Sequence, residues 1–316
     1  MICIIGGSGF VGSSLISNLV KKNFLNIDKQ YSKQFKNNTI ISDIRNKNSI
    51  VIPAETETLV LLAAEHRDDV TPPSLYYDVN VKGTQNVLEK MDEIGVKKII
   101  FTSSVAVYGL NKKNPDEKTV PDPFNEYGKT KLQAEKLIYD WFKRSPKDRT
   151  AIIIRPTVIF GENNRGNVYN LLRQIVNRNF LMIGSGKNKK SMAYIKNISD
   201  FILSLVNNSK LGLFEIYNYA DKPDLNMNEL FSEVNKLLKR KKSIFKIPLY
   251  IGIFVGYIFD LISFITRKKL LISSVRVKKF CAVTQFNSDK CKSIFNPRYS
   301  LTEGLRNTIN FEFLKK

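Results

Sequence analysis

Two side chains that could move a proton lie four residues apart near the middle of the chain. Tyr127 and Lys131 fall in the segment 125–144, whose pattern predicts a helix, so both leave the same face about one turn apart. A tyrosine has an ordinary pKa of about 10, and a neighbouring ammonium group lowers that pKa because it stabilises the phenolate. Ser104 ends a predicted strand and could hydrogen-bond the same substrate oxygen. These three residues predict a site that takes a proton from an alcohol.

A glycine-rich turn follows directly after the first predicted strand. Gly6, Gly9 and Gly12 give the spacing G-x-x-G-x-x-G, counting from Gly7 also gives G-x-G-x-x-G, and a helical pattern then covers 13–20. Such a turn holds the pyrophosphate of a dinucleotide, because the backbone comes close and the first helical N–H groups face the negative charge. A glycine turn of another α/β protein is the alternative. A Tyr-x-x-x-Lys pair on its own is usually an ordinary pair on an exposed helix face. The glycine turn in the same chain favours the catalytic interpretation of Tyr127 and Lys131 instead.

The acidic residue after the second predicted strand indicates which dinucleotide binds. Asp28 could accept hydrogen bonds from both ribose hydroxyls of adenosine, and it would repel the 2′-phosphate of NADP. The sequence therefore predicts NAD, although the adjacent Lys29 weakens the preference slightly. Asp43 and Ile44 follow the third predicted strand, where they could meet the adenine.

Strands and helices alternate through the first half of the chain, which predicts an α/β fold with a doubly wound parallel sheet. The apolar run 58–64 is typical of a central parallel strand. We expect an NAD-binding Rossmann domain at 1–160 and a smaller substrate-binding cap at 161–316. The remaining predicted elements are helices at 74–94, 125–144, 168–177 and 227–239, and strands at 98–104, 151–156 and 214–217.

The composition describes a globular, strongly basic chain. Of its 316 residues 43% are hydrophobic, and 50 Lys and Arg against 29 Asp and Glu give a net charge of +21. Three explanations of this basic charge stay open: an anionic membrane surface, an anionic substrate, or a lysine-rich compositional bias. No nucleic acid is expected, because the sequence has no recognition motif. Three unpaired cysteines and the lack of a secretory signal predict a cytoplasmic protein. A single histidine predicts no metal site.

The segment 247–265 is almost wholly apolar and carries only one charge, Asp260. Small or polar residues recur along it every four positions, so a helix there would have one narrow polar stripe and a broad apolar remainder. Basic residues flank it at 239–242 and 267–269. We expect an interfacial helix that contacts a membrane, with a helix buried in the cap as the alternative.

Further motifs surround these residues along the chain. They are Gly6-x-x-Gly9-Phe10-x-Gly12, Asp43-Ile44, Leu62-Ala63-Ala64, Asn80-Val81-x-Gly83-Thr84-x-Asn86, Thr102-Ser103-Ser104-x-x-Val107-Tyr108-Gly109, Tyr127-x-x-x-Lys131, Arg155-Pro156 and the run 299–305. On these motifs the chain resembles an extended short-chain dehydrogenase/reductase of the sugar-nucleotide epimerase/dehydratase group. The resemblance covers the whole chain. It implies catalysis by Tyr127, Lys131 and Ser104, with NAD as the cofactor and Lys131 holding the nicotinamide ribose.

The same resemblance implies a set of cofactor contacts at the carboxyl ends of the predicted strands and on the catalytic helix. They are Gly6, Ser8, Gly9, Phe10, Val11, Gly12, Asp28, Lys29, Asp43, Ile44, Leu62, Ala63, Ala64, Asn80, Tyr127, Lys131 and Pro156.

Runs outside the cofactor motifs narrow the resemblance to one bacterial branch of the family. That branch 4-epimerises N-acetylhexosamines carried on undecaprenyl diphosphate, through a 4-keto sugar, for O-antigen and lipopolysaccharide assembly. The implied substrate contacts are Ser104, His66 and Arg67, and for His66 a local structural role is the equal alternative. The runs that carry this match are 63–70, 74–81, 166–172 and 273–281.

One departure from the nucleotide-sugar epimerases bears on the substrate. Those enzymes often carry an arginine that pairs with a nucleotide phosphate where this chain has Met192 and Ala193. The departure counts against a UDP-sugar and is compatible with a lipid-linked substrate. Such a substrate implies a peripheral or monotopic protein at the cytoplasmic face of the bacterial inner membrane. A UDP-sugar 4-epimerase, a 4-keto reductase and a non-catalytic NAD-binding module are the alternatives, and a homodimer is compatible with the sequence.

Overall fold

The computed structural model describes residues 1–19, 23–67, 70–110, 112–207, 213–241, 244–267, 270 and 273–314. The strands are β1 (Ile2–Ile5), β2 (Phe24–Asp28), β3 (Thr39–Ile41), β4 (Thr58–Leu61), β5 (Lys98–Thr102), β6 (Thr150–Pro156), β7 (Val158–Phe160), β8 (Leu181–Ile183), β9 (Lys189–Tyr194), β10 (Phe214–Tyr219), β11 (Asp221–Asn226) and β12 (Phe245–Ile247). The α-helices are α1 (Phe10–Ser17), α2 (Ser74–Tyr77), α3 (Gly83–Ile94), α4 (Glu126–Lys143), α5 (Asn167–Val176), α6 (Ile195–Val206), α7 (Met227–Leu237), α8 (Leu249–Thr266), α9 (Ser274–Cys281), α10 (Asp289–Lys292) and α11 (Leu301–Ile309).

Seven parallel strands form one sheet in the order β10-β6-β5-β4-β1-β2-β3. β1, β4, β5 and β6 are buried along their whole length, as their continuous apolar runs predict. From β1 the chain first adds β2 and β3 on one side of the sheet, and it then adds β4, β5, β6 and β10 on the other side. Because crossovers between parallel strands are right-handed, this reversal puts helices on both faces of the sheet and opens a crevice between β1 and β4. The doubly wound fold is confirmed.

Most predicted elements lie close to where the sequence places them. β4 ends at Leu61, so residues 62–64 already belong to the loop after it. The helix predicted at 74–94 is interrupted by a π-helical stretch, Asp78–Lys82, between α2 and α3. The helix predicted at 247–265 begins instead at Leu249, because Ile247 pairs in β12.

The chain divides into two compact units that interleave along the sequence. The first comprises 1–159, 193–220 and 286–299, and the second comprises 160–192, 221–285 and 300–316. The division differs from a single boundary at residue 160, because 193–220 and 286–299 belong to the first unit. The assignment of a cofactor-binding domain and a substrate-binding cap stays a prediction. β10 joins the parallel sheet beside β6, so a segment expected in the cap completes the first unit.

The second unit is built around short strand pairs and an aromatic core. β11 runs antiparallel to β9, and β12 runs parallel to β8. Phe180 stacks on Phe231 with ring centroids 5.7 Å apart and also contacts Phe280. α5 packs against α7, and the Asn226 side chain caps the start of α7. These contacts hold α7 against the rest of the unit.

One face of α8 is packed within the second unit and the other is exposed. A side chain at Gly252 would lie 2.5 Å from Ile183, and one at Gly256 would lie 2.7 Å from the Ser274 backbone. Asp260 accepts a hydrogen bond from the Ser274 N–H at 3.2 Å. Only 11% of the helix is buried, so the narrow packed stripe matches the sequence pattern and the alternative of a buried helix is wrong. Three of the predicted flanking residues lie outside the described residues, namely Lys242, Lys268 and Lys269.

Candidate functional site

The glycine turn is held by contacts that leave no space for side chains. Gly6 has φ +93°, and a Cβ there would lie 2.4 Å from the Ala63 nitrogen. A Cβ at Gly12 would lie 2.3 Å from the Gly7 Cα, because α1 starts directly against the turn. These two glycines are required by the fold itself.

Asn26, in the middle of β2, fixes the conformation of this turn. Its side chain is fully buried and accepts a hydrogen bond from the Gly7 N–H at 2.9 Å. It also donates to the Ser8 and Thr39 hydroxyls, both at 3.0 Å. Sequence reasoning missed this residue, although a lone amide inside the apolar strand Phe24–Asp28 was the available signal.

Gly9 has a different environment, which points to a ligand. It is exposed at the start of α1, and a Cβ there would meet only the Gly6 carbonyl oxygen at 3.3 Å. Within the described part of the chain no side chain caps α1, which begins with Phe10 and Val11. Open space and uncapped N–H groups at a helix start suit an incoming phosphate, so these residues fit the diphosphate of NAD.

Asp28 lies beside the glycine turn at the end of β2. Its carboxylate accepts hydrogen bonds from the Ser8 N–H at 3.0 Å and the Gln30 N–H at 3.1 Å. The carboxylate therefore has a fixed position next to the turn, where the adenosine ribose is expected. Lys29 is exposed beside it.

We expect Asp28→Ala to reduce NAD affinity about tenfold or more, since a hydrogen bond to a charged group contributes roughly 1.5–3 kcal/mol. NADP affinity should fall less, because the change also removes repulsion of the 2′-phosphate. Calorimetric titration of both dinucleotides measures the ratio. Asp116→Ala is the matched control, since Asp116 also accepts backbone hydrogen bonds, from Lys118 and Thr119, in a turn. An equal loss for NAD and NADP would contradict the assignment of Asp28.

Asp43 and Ile44 sit after β3 but face different partners. Arg45 lies beside the Asp43 carboxylate and donates to both of its oxygens, which holds the Asp43 pKa below its ordinary value. Ile44 is buried under Gly83, where an added Cβ would lie 2.6 Å from its side chain. The Asn86 side chain donates to the Ile44 carbonyl at 2.8 Å. Ile44 thus supports the loop with its backbone and side chain.

The loop after β4 carries Leu62, Ala63 and Ala64 along the switch point of the sheet. The N–H groups of Leu62 and Ala63 donate to the Ile5 carbonyl at 2.8 and 2.9 Å. Asn80 holds the next residue, with its amide donating to the Glu65 carbonyl and to the Thr130 hydroxyl, both at 3.0 Å. Both amide hydrogens of Asn80 are therefore used inside the protein, and a direct contact of Asn80 with NAD stays a prediction.

His66 and Arg67 extend from this loop and are both exposed. The buried Glu65 carboxylate accepts hydrogen bonds from the backbone N–H of each residue, at 3.1 and 3.2 Å. The Arg67 guanidinium donates to both Glu65 oxygens, and this pairing lowers the Glu65 pKa to about 2. Tyr76 donates its hydroxyl hydrogen to the Arg67 carbonyl. The loop has a defined conformation, and the role of both residues toward substrate stays a prediction. The next two residues of the matched run, Asp68 and Asp69, lie outside the described residues.

Ser104 and Tyr127 meet because α4 comes close to the end of β5. Gly128 allows the approach, since a Cβ there would lie 2.6 Å from the Ala106 carbonyl oxygen. Ser104 Oγ accepts a hydrogen bond from the Ala106 N–H at 3.1 Å, and the Tyr127 hydroxyl is hydrogen-bonded to Ser104. The Asn125 side chain caps α4 by accepting from the Gly128 N–H at 2.9 Å. The structure thus brings Ser104 and Tyr127 together, with Lys131 four residues further along α4, and the catalytic roles of the three residues stay a prediction.

Burial has a strong effect on the pKa values of both Tyr127 and Lys131. Burial raises the pKa of Tyr127 to about 12, against the hydrogen bond from Ser104 that lowers it. Burial also lowers the pKa of Lys131 to about 7. Lys131 is 2% exposed, with its Nζ 4.3 Å from the centre of the Phe101 ring. Without a further positive group, the tyrosine is a phenol at neutral pH.

The described residues of the site share one edge of the sheet. The glycine turn follows β1, Asp28 ends β2, Ala63 follows β4, Ser104 follows β5 and Pro156 ends β6. All are carboxyl ends of parallel strands, and the crevice at a switch point on that edge is where dinucleotides bind in such sheets. The residues present fit NAD in both shape and charge.

Comparisons with known proteins agree with this geometry. Residues 2–220 match the model of the NAD dependent epimerase/dehydratase family. The chain is 54% identical over 316 residues to the N-acetyl-alpha-D-glucosaminyl-diphospho-ditrans,octacis-undecaprenol 4-epimerase of Escherichia coli O157:H7, covering 99% of this chain and 95% of that protein. It is 27% identical over 278 residues to the UDP-glucose 4-epimerase of Vibrio cholerae, covering 82% of each.

A solved structure with the same fold is the UDP-glucuronic acid 4-epimerase of Bacillus cereus. It superposes with a TM-score of 0.75 at 20% identity, covering 98% of each chain. The fold, the family match and the high identity over the full length agree. The chain belongs to the NAD dependent epimerase/dehydratase family.

Proposed function

We propose that this protein is an NAD-dependent 4-epimerase that interconverts N-acetylglucosamine and N-acetylgalactosamine linked to undecaprenyl diphosphate. The 54% identity to the Escherichia coli 4-epimerase, over 99% of this chain, carries the proposal. The contact between Ser104 and Tyr127, with Lys131 one turn along the helix, supports turnover and opposes a non-catalytic NAD-binding module. The product would enter O-antigen or another surface polysaccharide.

Tyr127 acts as the base on the sugar 4-hydroxyl in this proposal. NAD, when bound in the crevice, would supply the hydride acceptor and donor for C4 of the sugar. Ser104 hydrogen-bonds the same sugar oxygen, and the Lys131 ammonium stabilises the phenolate form of Tyr127. After the 4-keto sugar turns over, Tyr127 gives the proton back to the oxygen. Burial raises the Tyr127 pKa. The positive charges of the oxidised cofactor and of Lys131 would both act in the opposite direction.

The segment before Tyr194 supports a lipid-linked substrate over a UDP-sugar. Met192 and Ala193 are uncharged and are 2% and 0% exposed. The chain therefore offers no cationic side chain at these two positions. A nucleotide diphosphate would lack the arginine that often pairs with it in nucleotide-sugar epimerases. The UDP-glucose 4-epimerase of Vibrio cholerae, at 27% identity, keeps a UDP-sugar as the second candidate.

Offering each substrate by itself to the purified protein distinguishes the two candidate functions. Undecaprenyl-diphosphate-linked GlcNAc and UDP-GlcNAc are incubated with the enzyme, and the sugar released by acid is identified by chromatography. We expect GalNAc from the lipid-linked substrate, with no net change in absorbance of the reduced cofactor. GalNAc from the UDP-sugar alone would refute the lipid-linked assignment, and a stoichiometric rise in reduced cofactor would refute epimerisation.

The exposed face of α8 supports a peripheral position on the cytoplasmic face of the inner membrane. Within the described residues, α8 is a helix long and apolar enough to cross a membrane, yet its Gly252 and Gly256 stripe is packed inside the second unit. An interfacial helix satisfies both observations, because its packed stripe stays on the protein while the broad face enters the headgroup region. Tyr257 on this helix pairs with Lys278 of α9 at 3.0 Å, an aromatic and basic combination suited to that region. Association into a homodimer stays a prediction.

A further inference from the structure

Glu135 is a buried carboxylate that the proposed reaction does not use. Its side chain is 6% exposed and lies one helical turn beyond Lys131 on α4. Arg155 donates to both of its oxygens, from Nε to Oε1 at 3.0 Å and from Nη2 to Oε2 at 2.6 Å. The Ser103 hydroxyl also donates to Oε1. A buried ion pair contributes little net stability compared with an apolar replacement. The position of the Glu135–Arg155 pair beside the site therefore points to a role in the reaction.

These hydrogen bonds join the elements that carry the catalytic side chains. Ser103 follows the last residue of β5 and directly precedes Ser104, and Arg155 belongs to β6. Arg155 Nη1 also donates to the Tyr108 hydroxyl at 2.7 Å, and that hydroxyl donates to Asn218 at 2.9 Å. The network therefore ties the catalytic helix to three neighbouring strands, β5, β6 and β10.

We propose that Glu135 is a positioning residue of the reaction: its hydrogen bonds with Ser103 and Arg155 fix α4 against the ends of β5 and β6, which holds Tyr127 and Lys131 in place beside Ser104 and puts a carboxylate one helical turn from Lys131. The kinetic part of this inference rests on the proposed function. Glu135 itself touches neither the sugar nor the cofactor in the proposal, because Arg155 and Ser103 occupy its oxygens.

Among the described residues, Glu135 is the charged group that acts on the Lys131 pKa, so its effect can be tested by itself. Tyr127 and Glu135 lie on its own helix, Arg155 is the cation on β6, and β5 faces the ammonium with the uncharged Phe101 ring. Burial lowers the pKa of Lys131 to about 7, and the Glu135 carboxylate is the group that raises it. Removing that negative charge lowers the Lys131 pKa further, and an unpaired Arg155 acts in the same direction. The lysine then loses its proton at a lower pH.

Glu135→Gln tests this inference through pH dependence. We expect the alkaline limb of kcat/KM to move down by about one pH unit or more, the usual size of the effect of a close charge. NAD affinity, measured by calorimetry across the same pH range, should fall at a correspondingly lower pH. Glu135→Asp keeps the charge and should restore the alkaline limb even where kcat is reduced. Because the calorimetry needs no sugar, a wrong substrate assignment would leave that measurement interpretable.

Asp92→Asn is the control for a purely structural role. Asp92 on α3 accepts from Trp141 Nε1 at 2.7 Å and pairs with Arg149 at 2.9 Å, so it anchors the far end of the same helix. The Asp92→Asn variant should have a lower melting temperature, and its pH profiles of kcat/KM and of NAD affinity should be unchanged. Unmoved profiles in Glu135→Gln, or equal movement in Asp92→Asn, would overturn the inference.

Ser103→Ala covers the case in which Glu135→Gln does not fold. It removes one hydrogen bond to the carboxylate but keeps the ion pair with Arg155. We expect the alkaline limb to stay, and kcat to fall several-fold at an unchanged Kd for NAD. An unchanged kcat would overturn the positioning role.

Discussion

Replacing Tyr127 by phenylalanine is expected to reduce turnover about a thousandfold while NAD stays bound. The change removes the hydroxyl that is hydrogen-bonded to Ser104 and almost no volume, so the fold should be kept. General acid–base catalysis by one positioned side chain contributes roughly 10²–10⁴ in rate. The measurements are the sugar released by acid after incubation with the lipid-linked substrate, and the NAD content of the purified variant.

Tyr139→Phe provides the matched control for this prediction. Tyr139 lies on the same helix, is 42% exposed, and packs its ring against Phe214 with centroids 5.0 Å apart. Its hydroxyl has no part in the proposed reaction, and its removal should leave turnover unchanged. Near wild-type turnover in Tyr127→Phe would show that another group removes the proton.

The double variant Phe254→Glu with Phe264→Glu places two negative charges on the exposed face of α8. It is expected to weaken membrane binding about a hundredfold or more. Phe254 and Phe264 are 65% and 83% exposed, and burying such a side chain contributes roughly 1.5–3 kcal/mol. Phe264 is preferred to Phe259, which is only partly exposed. Sedimentation with anionic liposomes at several salt concentrations measures the binding. Salt should weaken wild-type binding, because basic residues near an anionic surface contribute about 1 kcal/mol each.

The control places the same charges on exposed apolar side chains of the first unit, outside α8. Val51 and Val120 are 52% and 74% exposed and belong to the first unit. Val51→Glu with Val120→Glu should leave sedimentation close to that of the wild type. If the wild-type protein stayed in the supernatant with both anionic and neutral liposomes, the membrane proposal would be wrong and the NAD chemistry would be unaffected.

Local patterns predicted the sheet well, and they also give the spacing of the proposed catalytic residues. Continuous apolar runs identify β1, β4, β5 and β6 because a central parallel strand buries both faces. The glycine spacing and the Tyr127–Lys131 interval are equally local, since each depends on one turn or one helical repeat.

The features that sequence reasoning missed depend on distant partners. β10 pairs with β6 in the register Phe214↔Ala151, across a span of the chain that no local pattern reports. Asn26 and Glu135 are ordinary polar residues in the sequence, and their importance appears only when Gly7 and Arg155 are seen beside them. The rise in the Tyr127 pKa has the same origin, because burial is set by the packing of the whole unit.

The interleaving of the two units limits how this protein can be cut or recombined. Exchanging the second unit with that of a relative would need three spliced segments and five junctions, since neither unit is continuous in the chain. A fragment that stops near residue 160 would lack β10 and leave the fully buried strand β6 as a bare sheet edge. Exposed apolar edges of this kind pair with other chains and promote aggregation. Modular engineering of substrate choice in this protein is therefore better done by point substitution than by domain exchange.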